Sequence, residues 1–382
     1  MKFAASSFRI AIVGGGVIGL SCALEFARRG VSVTLFEKNE LGRGASWAAA
    51  GMLAPAFEAA GEVDAHPRLF ELCTASAKLW PSWAKRLEVD SGLSAGYDGA
   101  PAIAVSTSST DLNQLQMLAR ALQERRVDFQ RLDARELRQI DNSLSGRVTH
   151  GLRLPTDAQV DNRATIAALV RLCEQSTLIE IENRELNLSI QEGVLSSSGF
   201  DATLVCAGWQ TPHLQAVING APSLLETAET SLGCVEAYAG QMLAVERDAD
   251  SPMHTIRAGD LYIVPKPDRI IIGATVEPGR VLSEPEALVI ENLQQRASDI
   301  CPSLGHAKVL EAWAGVRPGT PSHAPMIGAT SVAGLFAATG HYRNGILLAP
   351  ITAKILADTI IEGRTSQLAA AFAPAEFIPE AV

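Results

Sequence analysis

One arginine stands out as a residue that could do chemistry. Arg317 lies in the run "WAGVRPGTPSHAPMIG", residues 313–328, which contains no acidic residue. A guanidinium stays protonated in proteins, so a buried Arg317 must meet an anion from elsewhere in the chain or from a ligand. Bidentate pairing with a carboxylate is a common way for an arginine to orient an acid. The sequence leaves two partners open: a carboxylate of the protein and the carboxylate of a substrate.

A glycine-rich turn near the start of the chain is the second chemical signal. The apolar run at 8–13 predicts a buried strand, Gly14-x-Gly16-x-x-Gly19 follows at once, and "LSCALEFARR" has helical spacing. The next run, "VSVTLFEK", predicts a strand that ends at Glu37. In this order the elements predict a dinucleotide site, with a pyrophosphate at the glycines and ribose hydroxyls on Glu37. A tight strand–helix turn that binds nothing is the structural alternative.

The segment after this second strand helps to identify the dinucleotide. A NAD-binding domain usually continues with alternating strands and helices, whereas here "ELGRGASWAAAGMLAP" follows, with small residues from Gly42 to Gly51. Backbone can lie against a flat ligand at such residues, and Arg43 and Ser46 could contact a pyrophosphate. An alanine-rich helix start is the other interpretation of this run.

Composition limits the classes of function. A length of 382 residues is enough for two domains. The residues are 47% hydrophobic and 19% charged, which is ordinary for a protein with a sizeable core. The net charge of −10 disfavours a nucleic-acid partner, which requires a positive field. The six cysteines are scattered without a C-x-x-C pair, so we expect free thiols and no metal site. No run reaches the ~18 apolar residues of a membrane span, and no targeting segment is recognised, so we expect a cytoplasmic protein.

A series of motifs carries a resemblance to a known family over almost the whole length. They are, in order, "GGGVIG", "ASWAAAGML", "YIVPK", "GATVEPG", "WAGVRPGT" and "GHYRNGILLAP". With them the chain resembles the glycine oxidases of the D-amino acid oxidase family, which are similar to the flavoenzymes that supply the thiazole-forming step of thiamine synthesis. The resemblance implies non-covalently bound FAD, a small amino acid or amine as substrate, oxygen as acceptor, hydrogen peroxide as a product, and a homo-oligomer.

The same resemblance assigns roles to particular residues. Arg317 of "GVRPGT" would bind the substrate carboxylate, Tyr262 of "YIVP" would line the substrate site, and Arg343 of "GHYRNG" would lie beside flavin and substrate. The helix after Arg343 would point its positive end at the flavin. The residues expected to contact FAD are Gly14, Gly16, Val17, Ile18, Gly19, Glu37, Lys38, Arg43, Ala45, Ser46, Ala50, Gly51, Met52, Gly208, His341, Tyr342, Asn344, Gly345, Ile346 and Leu347.

The expected chemistry requires no side-chain base for breaking the C–H bond. If the amine is deprotonated, the Cα hydrogen leaves as hydride to flavin N5, and the protein has to fix the geometry in a dry pocket. His341 is the rival candidate for a base, with a hydrogen bond to backbone or cofactor as the alternative role. Tyr342 and Trp47 could wall the pocket or pack in the core.

Substrate and acceptor stay open at this point. Val276 is only medium-sized, so glycine, N-methylglycine, D-alanine and D-proline could all fit, and one methylene gives only ~1–3 kcal/mol of discrimination. The rival of the same class is a D-amino acid or hydroxyproline dehydrogenase that passes electrons to a quinone. A tRNA-modifying flavoprotein and a non-enzymatic NAD-binding sensor are more distant alternatives.

The order of elements predicts an α/β plus α+β fold, in which a substrate domain built on an antiparallel sheet interrupts a Rossmann-like FAD-binding domain. The expected FAD-binding parts are 1–88, 150–222 and 312–382, and the expected substrate-binding parts are 89–149 and 223–311. Local patterns predict a helix over 64–90, kinked at Pro81, a hairpin in "GYDGAPAIAVSTS" (96–108), a helix over 109–126 and antiparallel strands over 230–275.

Overall fold

Short buried apolar runs form the strands, as in "RIAIV" at the start of the first sheet. The computed structural model describes residues 8–60, 66–196, 199–226 and 230–377. The strands there are β1 (Arg9–Val13), β2 (Ser32–Phe36), β3 (Met52–Leu53), β4 (Tyr97–Asp98), β5 (Ala102–Ser106), β6 (Gln130–Asp133), β7 (His150–Leu154), β8 (Ala158–Val160), β9 (Ile179–Glu182), β10 (Leu188–Gln191), β11 (Val194–Leu195), β12 (Ala202–Val205), β13 (Gln215–Ile218), β14 (Ala221–Leu224), β15 (Glu236–Glu246), β16 (Ile256–Ala258), β17 (Leu261–Pro265), β18 (Arg269–Gly273), β19 (Glu277–Pro278), β20 (Val309–Gly319), β21 (Met326–Ala329) and β22 (Leu335–Thr339).

Several helices begin at side-chain caps. Ser108 and Asp111 form a capping box at the start of one helix, and Asp161 caps another by accepting from two backbone amides. The helices are α1 (Val17–Arg28), α2 (Ala45–Ala48), α3 (Leu69–Ser91), α4 (Ser109–Glu124), α5 (Ala134–Ile140), α6 (Asn162–Gln175), α7 (Ala287–Ile300), α8 (Gly345–Glu362) and α9 (Gln367–Ala370), with a π-helical turn at Pro55–Ala59 and 3₁₀ turns at Gly208–His213, Pro302–Gly305, Tyr342–Asn344 and Pro374–Phe377.

The first large sheet has the strand order β21-β22-β12-β1-β2-β9. Its strands are parallel apart from β21, which pairs with β22 in antiparallel register. Helices α1, α3, α6 and α8 bury their apolar residues in one core with this sheet. Because ligands of such sheets bind at the carboxyl ends of the strands, the turn after β1 is the place to look for a cofactor.

The second large sheet is mostly antiparallel and follows the order β19-β15-β18-β17-β16-β5-β7-β6, with β20 also paired to β15. The exception is the parallel pair of β16 with β5. Two separate apolar clusters pack around its strands, and one of these clusters includes side chains of α7. The long pairing of β15 with β20 brings Tyr238 opposite Arg317.

Several local predictions agree with these elements. Helix α4 lies within the predicted helix over 109–126, and β15, β17 and β18 are antiparallel neighbours within the segment 230–275. Helix α3 begins at Leu69 rather than at 64, and residues 64–65 lie outside the described part of the chain. It continues through Pro81 as one helix.

The predicted hairpin at 96–108 is wrong. Strand β4 pairs with β8 in a small sheet, whereas β5 pairs with β7 and β16 in the second large sheet. Glycine and proline between two short runs gave the hairpin signal, but each run pairs with strands that are distant in the chain.

The domain limits remain a proposal, and strand pairing moves two of them. Residues 150–154 form β7 and residues 309–319 form β20, and both strands lie in the second large sheet. Limits at 150 and 312 would assign β7 to the other unit and cut β20 in two. We therefore place these two limits after 154 and after 319.

Two further sequence features have a simple structural outcome. All six cysteines are free thiols. Within the described ranges, one helix, Tyr342–Glu362, is long and apolar enough to cross a membrane, and 67% of its apolar window is buried inside the protein.

Candidate functional site

The glycines after β1 allow close packing around a turn. Gly14 has φ +109°, and a Cβ there would lie 2.5 Å from the carbonyl oxygen of Cys206. A Cβ on Gly19 would lie 1.9 Å from the carbonyl oxygen of Gly14. These contacts hold the first turn of α1 against β1 and β12, so the start of α1 faces the edge where a pyrophosphate is bound in such folds.

The acid at the end of β2 is fixed by backbone. One carboxylate oxygen of Glu37 accepts a hydrogen bond from the amide of Gly15 at 2.8 Å, and the other accepts from the amide of Asn39 at 2.9 Å. Neighbouring Lys38 is paired instead with Glu185 at 2.8 Å, at the exposed margin. Glu37 is therefore held beside the glycine turn, where an acid can accept from hydroxyl groups.

The small-residue segment crosses in front of α1. The Ser46 hydroxyl accepts from the amide of Val17 at 2.9 Å, and the Asn162 side chain donates to the carbonyl oxygens of Ser46 and Trp47 at 2.9 and 3.0 Å. Gly51 has φ +77°, and a Cβ there would lie 2.0 Å from the carbonyl oxygen of Val160. The backbone of this segment thus lies too close to β8 for a larger residue.

Arg317 also lines the site, and among the described residues its hydrogen-bond partners are backbone carbonyl groups. Its Nη1 donates to the carbonyl oxygens of Thr275 at 3.2 Å and Ala239 at 3.4 Å. Within the described part of the chain, no carboxylate forms an ion pair with it. Burial lowers the pKa of the Arg317 guanidinium below its ordinary value. An anionic ligand would offset this unfavourable desolvation.

Tyr262 is a buried neighbour of Arg317. It pairs with Gly273 across β17 and β18, and a Cβ on Gly273 would lie 2.5 Å from the Tyr262 hydroxyl. Burial raises the pKa of Tyr262, and the charge of Arg317 opposes that shift only in part. The phenol therefore stays protonated at neutral pH and can donate a hydrogen bond.

Arg343 has a partner that the sequence did not reveal. Its Nη1 lies 3.1 Å from one carboxylate oxygen of Glu58, and Arg257 lies 2.6 Å from the other. Both Glu58 and Arg257 are almost fully buried, at 5% and 1% side-chain exposure. Burial by itself raises the pKa of Glu58, but the charges of Arg257 and Arg343 prevail and lower it to about 2. Glu58 is therefore an anion between two cations.

His341 is neutral and faces the side of α8 that carries Thr352. Its Nε2 lies 3.1 Å from the Thr352 hydroxyl, and burial lowers its pKa to about 3.

Tyr342 has φ +48° and stacks on His323 with ring centroids 4.4 Å apart. Trp47 packs edge-on against Trp313 at 5.8 Å.

One cavity of about 450 Å³ joins these features. It extends from the glycine turn and Glu37 past the small-residue segment to Tyr262 and Arg317, and Gly345 and Ile346 at the start of α8 also line it. All the residues predicted for the site line this cavity except Gly19, Asn344 and Leu347. Gly19 acts through packing, Asn344 precedes α8, and the Leu347 carbonyl accepts from Ser76 and Trp80 in the core.

Glu58, Arg257 and Gly240 are residues that the sequence analysis missed. A single arginine in the buried strand β16 is a signal that could have drawn attention to Arg257. Glu58 lies in "APAFEAAG", where nothing in the residue pattern points to burial. Val276, considered as a size filter, does not line the cavity, nor does Trp47.

The cavity has groups that could hold a dinucleotide and, at Arg317, an anionic group. The channel is lined by small residues. The amino termini of α1 and α8 and the carboxylate of Glu37 lie around it. Helix amino termini favour negative charge, as pyrophosphate and an electron-rich ring edge provide. Among the described residues no group of three or more His, Cys, Asp and Glu could hold a metal ion.

Comparison with known proteins identifies the family. The model of the FAD dependent oxidoreductase (DAO) family matches residues 9–359. The chain belongs to this family. Its cofactor is FAD, as predicted, and the cavity described above has the groups to hold it.

Curated relatives within this family are similar over nearly the whole chain. The bifunctional protein ThiO/ThiG of Trichormus variabilis is 34% identical over 97% of this chain, but the chain spans only 55% of that relative. The glycine oxidase of Geobacillus kaustophilus is 30% identical over 94% of both chains. The resemblance drawn from the sequence motifs is thereby confirmed.

Solved structures agree with the predicted fold class. The crystal structure of glycine oxidase from Geobacillus kaustophilus superposes with a TM-score of 0.83 at 29% identity, covering 97% of this chain and 98% of that one. The iminodiacetate oxidase of Chelativorans sp. BNC1 has a TM-score of 0.79 at 22% identity, which is a likeness of fold alone. An α/β cofactor part combined with an antiparallel sheet is confirmed.

Proposed function

We propose that this chain oxidises glycine or another small amino acid or amine, such as N-methylglycine, D-alanine or D-proline. The products would be a 2-oxo acid, ammonia or an amine, and hydrogen peroxide, with oxygen as the electron acceptor. The likeness to glycine oxidase and to ThiO/ThiG supports this assignment and the thiamine-linked resemblance. A cytoplasmic location and a homo-oligomer belong to the same proposal.

The observation that carries the proposal is the position of Arg317 in the cavity and the kind of hydrogen-bond partners it has. It lines the cofactor cavity and, within the described ranges, has only carbonyl partners. The sequence left open whether Arg317 pairs with a carboxylate of the protein or with that of a substrate. A carboxylate of the protein would have to lie within ion-pair distance, and none does among the described residues, so a substrate carboxylate is favoured. A carboxylate ligand satisfies the guanidinium, and each charged hydrogen bond contributes ~1.5–3 kcal/mol.

The remaining cavity residues divide into two groups. Glu37 and the turn at Gly14 and Gly16 would hold the nucleotide end of FAD, and the starts of α1 and α8 would face its negative groups. Tyr262 would donate to the substrate carboxylate beside Arg317. Arg343, held by Glu58, would contribute a fixed positive charge near the reacting centre.

The protein's contribution to the reaction is geometric. FAD, when bound, accepts the α-hydrogen of the substrate as hydride. Arg317 and Tyr262 fix the acid end of the substrate, which sets the direction of its α-carbon, and the buried apolar walls exclude water. We assign no proton transfer to His341, because burial lowers the pKa of its ring to about 3, which makes it a weak base, and its Nε2 is bonded to Thr352.

Release of hydrogen peroxide from air-saturated protein tests the proposal. We expect a yellow protein that releases peroxide with glycine, N-methylglycine, D-alanine or D-proline. The kcat/KM values for glycine, N-methylglycine and D-alanine should differ by less than about 200-fold, since N-methylglycine and D-alanine each have only one carbon more than glycine and a single methylene discriminates weakly. Glycolate, which lacks the amine, is the matched control. Turnover only with a quinone-like dye would support the dehydrogenase alternative, and a protein without flavin would refute both.

A further inference from the structure

One nitrogen of the Arg317 guanidinium is held from two sides by backbone. Ala239, in β15, and Thr275, just after β18, each direct a carbonyl oxygen at Nη1, at 3.4 and 3.2 Å. Among the described residues the guanidinium makes no other hydrogen bond. This arrangement leaves Nε and Nη2 available for a ligand. Because both backbone contacts are made through Nη1, the direction of the guanidinium depends on where the two carbonyl groups lie.

Thr275 lies outside the strands and is fixed by side chains. Its hydroxyl accepts from the amide of Gln241 at 3.0 Å and donates to Glu277 Oε1 at 2.7 Å. The same Oε1 also accepts from Gln241 Nε2 at 2.9 Å. Gln241 Oε1 in turn accepts from the amide of Glu286 at 2.6 Å.

Gln241 has no exposed surface, yet its side chain is satisfied at both ends by the segment 275–286. A buried amide that is hydrogen-bonded through both its nitrogen and its oxygen favours one arrangement of its neighbours. This amide therefore fixes the position of Thr275 relative to β15, which carries the other carbonyl group on Arg317.

Gly240 provides the room in which the guanidinium lies. A Cβ at this position would be 2.4 Å from Arg317 Nη1 and 2.7 Å from Nη2. Those atoms are the far end of a flexible side chain, so a methyl group would displace the guanidinium rather than the backbone. Gly240 and the Thr275 carbonyl group thus both adjoin the Arg317 guanidinium.

We propose that Gln241 and Glu277 are positioning residues that act through Thr275 to direct Arg317 at the substrate carboxylate, with Gly240 kept small for the same purpose. The proposal rests on the proposed function, in which Arg317 binds that carboxylate. A catalytic arrangement tolerates little misplacement, and a side chain without supporting contacts loses its direction.

Kinetics of four variants of the FAD-loaded protein test the proposal. Glu277→Ala removes the acceptor for Thr275 and Gln241, Glu277→Gln keeps one acceptor oxygen, and Gly240→Ala moves the guanidinium directly. Arg280→Ala is the control, because Arg280 is half exposed and pairs with Glu277 from the solvent side. The readouts are kcat and KM, the Kd of glycolate from the flavin absorption change, and Tm.

We expect Glu277→Ala and Gly240→Ala to raise KM and the glycolate Kd by about tenfold, within the range of coupling seen in hydrogen-bond networks. Glu277→Gln should restore most of the affinity, and Arg280→Ala should stay within about threefold of the parent, as exposed ion pairs contribute little. In an Arg317→Ala background, Glu277→Ala should have no further effect.

Two results would overturn the proposal: an unchanged glycolate Kd in Glu277→Ala, or an equal loss of activity from Glu277→Ala with and without Arg317. Failure of the carboxylate-binding role of Arg317 would look different, because Arg317→Ala itself would then be fully active. A parent protein that neither turns over a small amino acid nor binds glycolate would refute both.

Discussion

Arg317→Ala is expected to lower kcat/KM for a small amino acid by about thirty- to several-thousand-fold, which corresponds to ~2–5 kcal/mol of lost transition-state binding. The variant removes the one cation in the described chain that lines the cavity with only carbonyl partners. FAD should remain bound, because Arg317 lies at the opposite end of the cavity from Glu37 and the glycine turn. Steady-state peroxide release and flavin absorbance measure the two effects.

Two further variants sharpen this expectation. Arg317→Lys keeps the charge but loses the planar fork, so we expect a loss between those of the parent and Arg317→Ala. Arg296→Ala, which removes an arginine paired with Asp260 on the surface, serves as a control and should leave kcat/KM unchanged. Near-normal turnover by Arg317→Ala would show that the substrate is held in another way.

Glu58→Gln is expected to destabilise the protein by about 3–5 kcal/mol, because removing one partner of a buried ion pair leaves an uncompensated charge. Here two cations lose their anion. Arg257 is the more severely affected, since its Nε and Nη2 are buried without a hydrogen-bond partner in the described part of the chain. Its guanidinium also lies 3.9 Å from the Phe57 ring centroid, so it has little freedom to reach water.

Urea unfolding at several pH values measures this contribution. The pKa of Glu58 is lowered from 4.5 to about 2 in the folded protein, so its contribution to the free energy of unfolding is present above about pH 4.5 and is lost as the pH falls towards 2. The difference between parent and Glu58→Gln should shrink in the same window. Glu71→Gln, which removes the exposed partner of Arg68, should change stability by less than about 1 kcal/mol. A difference that does not depend on pH would contradict the role of the carboxylate.

The cofactor half of the site could be predicted because its signals are local. Gly14, Gly16 and Gly19 lie within one turn, and Glu37 ends the next strand, so their spacing along the chain determines their arrangement in space. The same holds for the 3₁₀ turn and helix that follow His341. Here short-range geometry was sufficient.

The part of the cavity around Arg317 and Arg343 depends on contacts between distant segments, which the residue pattern does not reveal. The partner of Arg343 is Glu58, brought to it by a π-helical turn whose amides at Ala56 and Phe57 donate to buried Asp157. Motif resemblance singled out Arg317 and Tyr262, which both line the cavity, but nothing in the sequence indicated that Gly240 lies beside the Arg317 guanidinium. The wrong hairpin at 96–108 has the same origin, since β4 and β5 pair with different sheets.

A crystal structure of the FAD-loaded protein with glycolate tests the central claim most directly. We predict that both carboxylate oxygens lie within about 3 Å of the Arg317 guanidinium, that Tyr262 donates to one of them, and that the α-carbon faces the flavin. An Arg317 side chain turned to bulk water, or bound to an acid of the protein while glycolate lies elsewhere, would contradict the account.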